Sequence, residues 1–147
     1  KIDEDYDIVI TSPLQRCTKL AEYFRFNYQK DSRIQEINFG TWELKNWDDI
    51  SKNEIDPWYE DYIYTSPPKG ESVIDFRKRI LDFKNDLEQN YAGKKVLVVT
   101  HSGVVRLFLQ VILDFPIKNM FTILPDYGKR CILKKEGGLW KILALNI

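Results

Sequence analysis

Apolar residues along this chain follow two rhythms. Ile8-Val9-Ile10 and Val96-Leu97-Val98-Val99 are short, unbroken runs rich in β-branched side chains, the pattern of strands covered on both faces. After each run the spacing turns helical. Leu14, Cys17, Leu20, Ala21, Phe24 and Tyr28 follow the first, and Val104, Leu107, Phe108, Val111 and Ile112 follow the second. The pattern therefore predicts a strand over Tyr6 to Thr11, a helix opened by Ser12 as N-cap with Pro13 in its first position and Gln15 at capping-box spacing, and a second strand-turn-helix at residues 96–112. Val73, Phe76, Ile80, Phe83, Leu87 and Tyr91 predict a long amphipathic helix, with Ser72 and Asp75 at capping-box spacing. Cys131-Ile132-Leu133, the Glu136-Gly137-Gly138 turn and Leu139 to Leu145 predict a closing hairpin. Residues 42–69 carry Trp42, Trp47, Trp58, Tyr59, Tyr62 and Tyr64 and are punctuated by Pro57 and Pro67. Short helices broken at those prolines would form a cap instead of a core layer. Asp114 to Pro116 turns the chain into a short apolar piece around Phe121, and the charged opening, Lys1 to Asp7, reads as a loop.

Both strand-helix junctions carry the same polar grammar. Ser12 and Ser102 are possible N-caps, and Arg16 and Arg106 each stand four residues on. A cation in the first turn opposes the helix dipole, so something negative is expected beside Arg16. His101, the single histidine, lies just beyond the second strand, where open α/β sheets bind ligands. The helix behind it aims free N–H groups at the same place, so an anion is the natural guest. If the two strands are neighbours, a histidine, two arginine forks and backbone donors converge on a pocket suited to a phosphoryl group. The plainer alternative is that each arginine pairs with a surface carboxylate. Glu36 lies among Ile34, Ile37, Phe39 and Trp42. It reads either as a solvated surface glutamate or as a partly desolvated carboxyl able to serve as an acid. The aromatics of 42–69 read first as packing, although a cap over a phosphate pocket would use them twice.

Composition narrows the field. The chain has 147 residues, 44% hydrophobic and 30% charged, which suits one domain with a sizeable core. Lys+Arg and Asp+Glu number 22 each, so no overall field favours nucleic acid or an anionic membrane, and any anion site must be built locally. Cys17 and Cys131 are far apart and set in apolar patterns, which suggests reduced thiols in a cytoplasmic protein. No second histidine or C-x-x-C is present to complete a zinc set. No apolar run approaches the ~20 residues of a membrane span.

Four segments, in order, resemble the histidine phosphatase superfamily in its phosphoglycerate-mutase-like branch. Thr11-Ser12-Pro13-Leu14-Gln15-Arg16 is similar to its S-P-L-x-R motif, and Glu36-Ile37-Asn38-Phe39-Gly40-Thr41-Trp42-Glu43 to its E-x-x-F-G-x-W-E motif. Gly70-Glu71-Ser72 is similar to G-E-S, and Thr100-His101-Ser102-Gly103 followed by Arg106 to the second-histidine motif. Within the branch, the short cap and the spacing look most like α-ribazole-5'-phosphate phosphatases of the cobalamin pathway.

The resemblance implies a three-layer α/β/α sandwich with a mostly parallel sheet, over one domain spanning residues 1–147. It implies phosphoryl transfer from a small phosphorylated metabolite through a phosphohistidine, with no cofactor or metal. His101 would be the second histidine, donating to phosphate oxygens, Arg16 a phosphate-clamping arginine, and Glu36 the acid for the leaving alcohol and then the base for water. The N–H after His101 would add a donor. Ser12, Glu71, Ser72, Ser102 and Arg106 would lie around the phosphate and its rim, Arg106 in a supporting role. Two smaller departures are Leu44 and Ser102, each standing where relatives often carry glycine. The large departure is the family's nucleophile, which lies in an R-H-G motif on a first, central strand, and this chain contains no R-H-G. The expectation is therefore a chain truncated at its N-terminus, lacking that strand and its helix, and inactive as it stands. Mutase-type transfer and a non-catalytic phosphate-binding pseudo-enzyme remain the alternatives, and oligomeric state is open.

Overall fold

The computed structural model describes residues 5–147; the expected loop at Lys1 to Glu4 lies outside the described residues. The two apolar runs become β1 (Ile8–Thr11) and β3 (Val96–Val99), paired in parallel with Ile8 opposite Val96 and Thr11 opposite Val99. A two-residue strand that the apolar pattern does not announce, β2 (Gln29–Lys30), pairs in parallel on the other side of β1. The sheet order is β2-β1-β3, and β3 pairs only with β1 among the described residues.

Alternation along the strands sets the layers. Ile8, Ile10, Val96 and Val98 face a core built on α3 (Val73–Asn90) and α4 (Ser102–Leu113), with Phe76, Ile80, Phe83, Val104 and Leu107 fully packed in it. Val9, Leu97 and Val99 face the opposite way onto Cys17 of α1 (Gln15–Tyr23), with Tyr6, Phe26 and Tyr28 closing that side. The result is helix, parallel sheet, helix pair. The hairpin of β4 (Ile132–Glu136) and β5 (Leu139–Ala144) forms a separate antiparallel pair, turning through Gly137 and Gly138, both at positive φ as a two-residue turn of this kind requires. Leu133 and Trp140 seat it on the α3/α4 core.

Four local expectations give way. Ser12 does not cap α1: the helix begins at Gln15 with Leu14 in the cap position, and the buried Ser12 Oγ accepts the Leu14 N–H at 3.3 Å, ahead of the helix. Leu20, expected in the core, is 43% exposed. Ser102 is likewise inside α4, not its cap; that position belongs to His101. Pro57 does not break the cap, because α2 (Lys52–Glu60) runs through it. Proline in a helix leaves the carbonyl four residues earlier unpaired, and here Asn53 and Pro57 are both solvent-exposed, so water can satisfy it. By contrast Ser72 caps α3 as expected, its Oγ accepting the Asp75 N–H at 3.2 Å and donating to Asp75 Oδ2 at 2.7 Å. The cap packs as its own cluster, with Trp42, Ile50 and Ile55 buried against Phe39 and Trp58. Leu44 stands at φ 63°, fully exposed, in the left-handed conformation that glycine adopts at less cost.

Candidate active site

Parallel pairing of β1 with β3 brings the two junctions side by side. His101 is 7% exposed and both ring nitrogens are engaged. Arg16 Nε donates to Nδ1 at 3.1 Å, and Nε2 lies 2.8 Å from Ser12 Oγ. A guanidinium N–H can only donate, so Nδ1 carries no proton and the hydrogen sits on Nε2, pointing at Ser12. Burial, then the Arg16 and Arg79 cations, hold the imidazole pKa down to about 4. At neutral pH His101 is therefore an uncharged N–H donor. The negative neighbour expected beside Arg16 is replaced by this nitrogen lone pair; among the described residues Arg16 forms no ion pair.

Cys17 packs against the same ring, its Sγ 3.5 Å from Nε2 and 3.7 Å from the Thr100 carbonyl oxygen. Burial raises its pKa, so it stays a thiol. No motif pointed to it: the helical stripe placed Cys17 in the core, and only the strand pairing reveals which side chain it meets there.

The group seated at the α4 N-terminus comes from the protein itself. Glu36 Oε2 accepts the Gly103 N–H at 3.2 Å, and Oε1 accepts the Ile37 N–H at 3.1 Å. A Cβ on Gly103 would collide with this carboxylate, so glycine at that position is what lets Glu36 reach the helix end. Thr100 Oγ1 donates to the Ile34 carbonyl at 2.8 Å, tying the Glu36 loop to the end of β3. Arg16, Ser12, His101 and Glu36 thus gather at the carboxyl ends of β1 and β3.

The remaining expected residues sit around this group with other partners. Ser102 Oγ accepts from Arg106 Nη1 at 3.4 Å, while Arg106 Nε donates to the Ile123 carbonyl at 2.8 Å and the guanidinium covers the Phe121 ring. Ser72 is buried as the α3 cap, and Glu71 is held by Arg79 and the Asn38 N–H, not turned to the rim. Arg79 itself was not singled out in the sequence; Glu71 and Arg79 eight residues apart across a helix start is too loose a spacing to announce a bond. Among the described residues no cluster of three His, Cys, Asp or Glu could hold a metal ion. None of their helices is long and apolar enough to cross a membrane.

The family model of the histidine phosphatase superfamily (branch 1) matches residues 2–147. The chain belongs to that superfamily. As a histidine phosphatase homologue it is 26% identical over 130 residues to the adenosylcobalamin/alpha-ribazole phosphatase of Escherichia coli K12, with 84% of this chain and 64% of that protein aligned. The chain thus spans somewhat under two thirds of that relative's length. Among solved structures, the alpha-ribazole phosphatase from Shigella flexneri superposes with a TM-score of 0.89 at 22% identity, covering 99% of this chain and 75% of that one. YhfR of Bacillus stearothermophilus gives 0.80 at 26% identity, over 97% and 74%. The α/β fold of this superfamily member, a parallel sheet between helices, is the one these structures share.

Proposed function

We propose that this chain supplies the acid and the phosphate-holding half of a phosphomonoesterase that works through a phosphohistidine. The gathering of Arg16, His101 and Glu36 at the carboxyl ends of two paired parallel strands carries this reading. Arg16 donates to His101 through Nε alone, which leaves the ends of its guanidinium fork for phosphate oxygens. His101 presents its Nε2 proton, now on Ser12, to the same group. In the first step a histidine nitrogen bonds to phosphorus, the ester oxygen departs, and Glu36 gives that oxygen its proton. In the second, Glu36 takes a proton from water as the water oxygen bonds to phosphorus and frees the histidine.

The nucleophile in this reading is not His101. An imidazole that accepts from Arg16 on one nitrogen and donates to Ser12 on the other has no lone pair to offer phosphorus. The attacking histidine belongs to an R-H-G segment seated on the open side of β3. The substrate is a small phosphomonoester, α-ribazole-5'-phosphate or a close relative, by analogy with the E. coli protein; the protein acts in the cytoplasm, without metal or cofactor.

The test is acid-stable and acid-labile phosphate trapping with a labelled phosphomonoester. The chain by itself should give no phosphohistidine and no turnover; together with an R-H-G segment it should release phosphate, and Glu36→Gln should cut that release by about 10²-fold or more. Label on His101 would overturn the division of roles. A second reading, a phosphate-binding module without turnover, draws on the engagement of both His101 ring nitrogens; it requires that phosphate bind and that no R-H-G segment restore hydrolysis. Phosphate shifted within a phosphoglycerate instead of released would identify a mutase.

A further inference from the structure

Arg79 is the one arginine near the site with nothing left to give a substrate. Its Nη1 donates to the carbonyls of Arg33 at 2.6 Å and Gln35 at 2.7 Å. Its Nη2 donates to the Glu36 carbonyl at 3.1 Å and Glu71 Oε1 at 2.5 Å, and Nε donates to Glu71 Oε2 at 3.0 Å. All five N–H groups of the guanidinium are used inside the protein. Its face lies on the Phe76 ring, 4.1 Å from the centroid. Arg79 is therefore placed to hold backbone, not phosphate.

The backbone it holds is the segment on either side of Glu36. Glu71 extends the grip: its Oε1 also accepts the Asn38 N–H at 2.9 Å, and its own N–H donates to the Asn38 carbonyl at 2.9 Å. Two glycines let these strands of loop touch, since a Cβ at Gly40 would strike Pro68 and one at Gly70 would strike Asn38. Residues 33, 35 and 36 are thus fixed from α3 and residue 38 from Glu71 just ahead of it, and between them the Glu36 carboxylate reaches Gly103 on α4.

We propose that Arg79, working with Glu71, is the positioning residue that sets the Glu36 carboxylate on the first turn of α4. The inference rests on the reading of Glu36 as the acid only for its catalytic consequence; the placement itself is independent of it. Lysine cannot substitute, because an ammonium has no planar fork to span three carbonyls and a carboxylate. The G-E-S segment then serves the reaction through Glu36, with no contact to substrate.

The Gly103 amide is the reporter. In 15N spectra of this chain its shift should follow the protonation of Glu36 with pH, and Glu36→Gln should abolish that titration. Arg79→Lys should abolish or strongly reduce it as well, while Arg77→Lys, which alters the neighbouring arginine bonded to Gln110, should leave it intact. An unchanged Gly103 titration in folded Arg79→Lys overturns the proposal. Should Arg79→Lys fail to give a dispersed spectrum, Glu71→Gln, which keeps the side-chain volume, is read by the same criterion. In the phosphate-releasing form, Arg79→Lys should lower kcat for an alkyl phosphate at least about tenfold more than for p-nitrophenyl phosphate, whose leaving group needs no acid. A lost Gly103 titration without that difference would keep Arg79 as the positioning residue and remove Glu36 as the acid.

Discussion

His101 shows how much one side chain depends on its neighbours. Its place after a buried strand and before a helix was legible in the sequence, but its state was not. The proton on Nε2 follows from Arg16, 85 residues away, and its low pKa from burial between two sheet-bound helices and from the Arg16 and Arg79 cations. The shift has a measurable cost. Above pH 6.5 neither folded nor unfolded chain carries the proton; between 6.5 and about 4 only the unfolded chain takes it up, so stability falls as pH drops through that window. The slope from this one group is at most about 1.4 kcal/mol per pH unit. Urea midpoints taken from pH 7 to 4 should decline, and His101→Asn should flatten the part of the decline above pH 5. An equal decline in the variant would mean that another group carries it. Glu36 teaches the converse lesson: its apolar neighbours in the sequence suggested desolvation, whereas its decisive partner, the Gly103 N–H, lies 67 residues on.

At the scale of elements, periodicity was informative wherever a face was buried and silent where partners came from afar. The α3 stripe, the two parallel strands and the Gly137-Gly138 hairpin were legible because each is dictated by local spacing or turn chemistry. The cap signal at Ser12 misled because its hydroxyl serves His101 and the Leu14 N–H ahead of the helix, and the one at Ser102 because His101 holds the cap position and Ser102 bonds Arg106 within α4. β2 escaped notice because Gln29 and Lys30 are exposed and have no apolar pattern. The hairpin's attachment to α3 was equally invisible. It rests on Glu88, which accepts from Trp140 Nε1 at 2.7 Å and pairs with Lys135 at 2.8 Å and Lys84 at 2.9 Å. Burial alone would raise the Glu88 pKa, but these three donors outweigh it and bring it to about 2. A depressed carboxyl pKa stabilises above its ordinary value and loses that contribution as pH falls from 4.5 to about 2. Glu88→Gln should therefore cost about 1 kcal/mol at pH 7, after discounting for partial exposure, and nothing at pH 2. Hydrogen exchange should place the loss in β4 and β5; a uniform loss across the sheet would show that Glu88 does not anchor the hairpin.

For the whole molecule, the decisive feature is the side of β3 that faces away from β1. A parallel strand is ordinarily flanked on both sides, yet Val96–Val99 pair with β1 alone among the described residues, and Val96, Leu97 and Val98 are only half-buried where β1 is closed over. An open, apolar edge of this kind templates another strand. His101 lies two residues past the end of β3, so an extended segment running parallel to it would end beside Arg16, His101 and Glu36. That is where the proposed mechanism needs its nucleophile. Amide exchange can decide the matter without any assay of turnover. In the chain alone, the β3 amides turned away from β1 should exchange faster than those of Ile8–Thr11 by a factor of about 10² or more, since they lack a partner. An added R-H-G segment should slow them selectively, leave the β4 and β5 amides unchanged, and do so equally in the Glu36→Gln chain, because pairing needs backbone and not the acid. Protection of β3 without added segment would mean the edge is already covered, and the attacking histidine would have to enter from another direction.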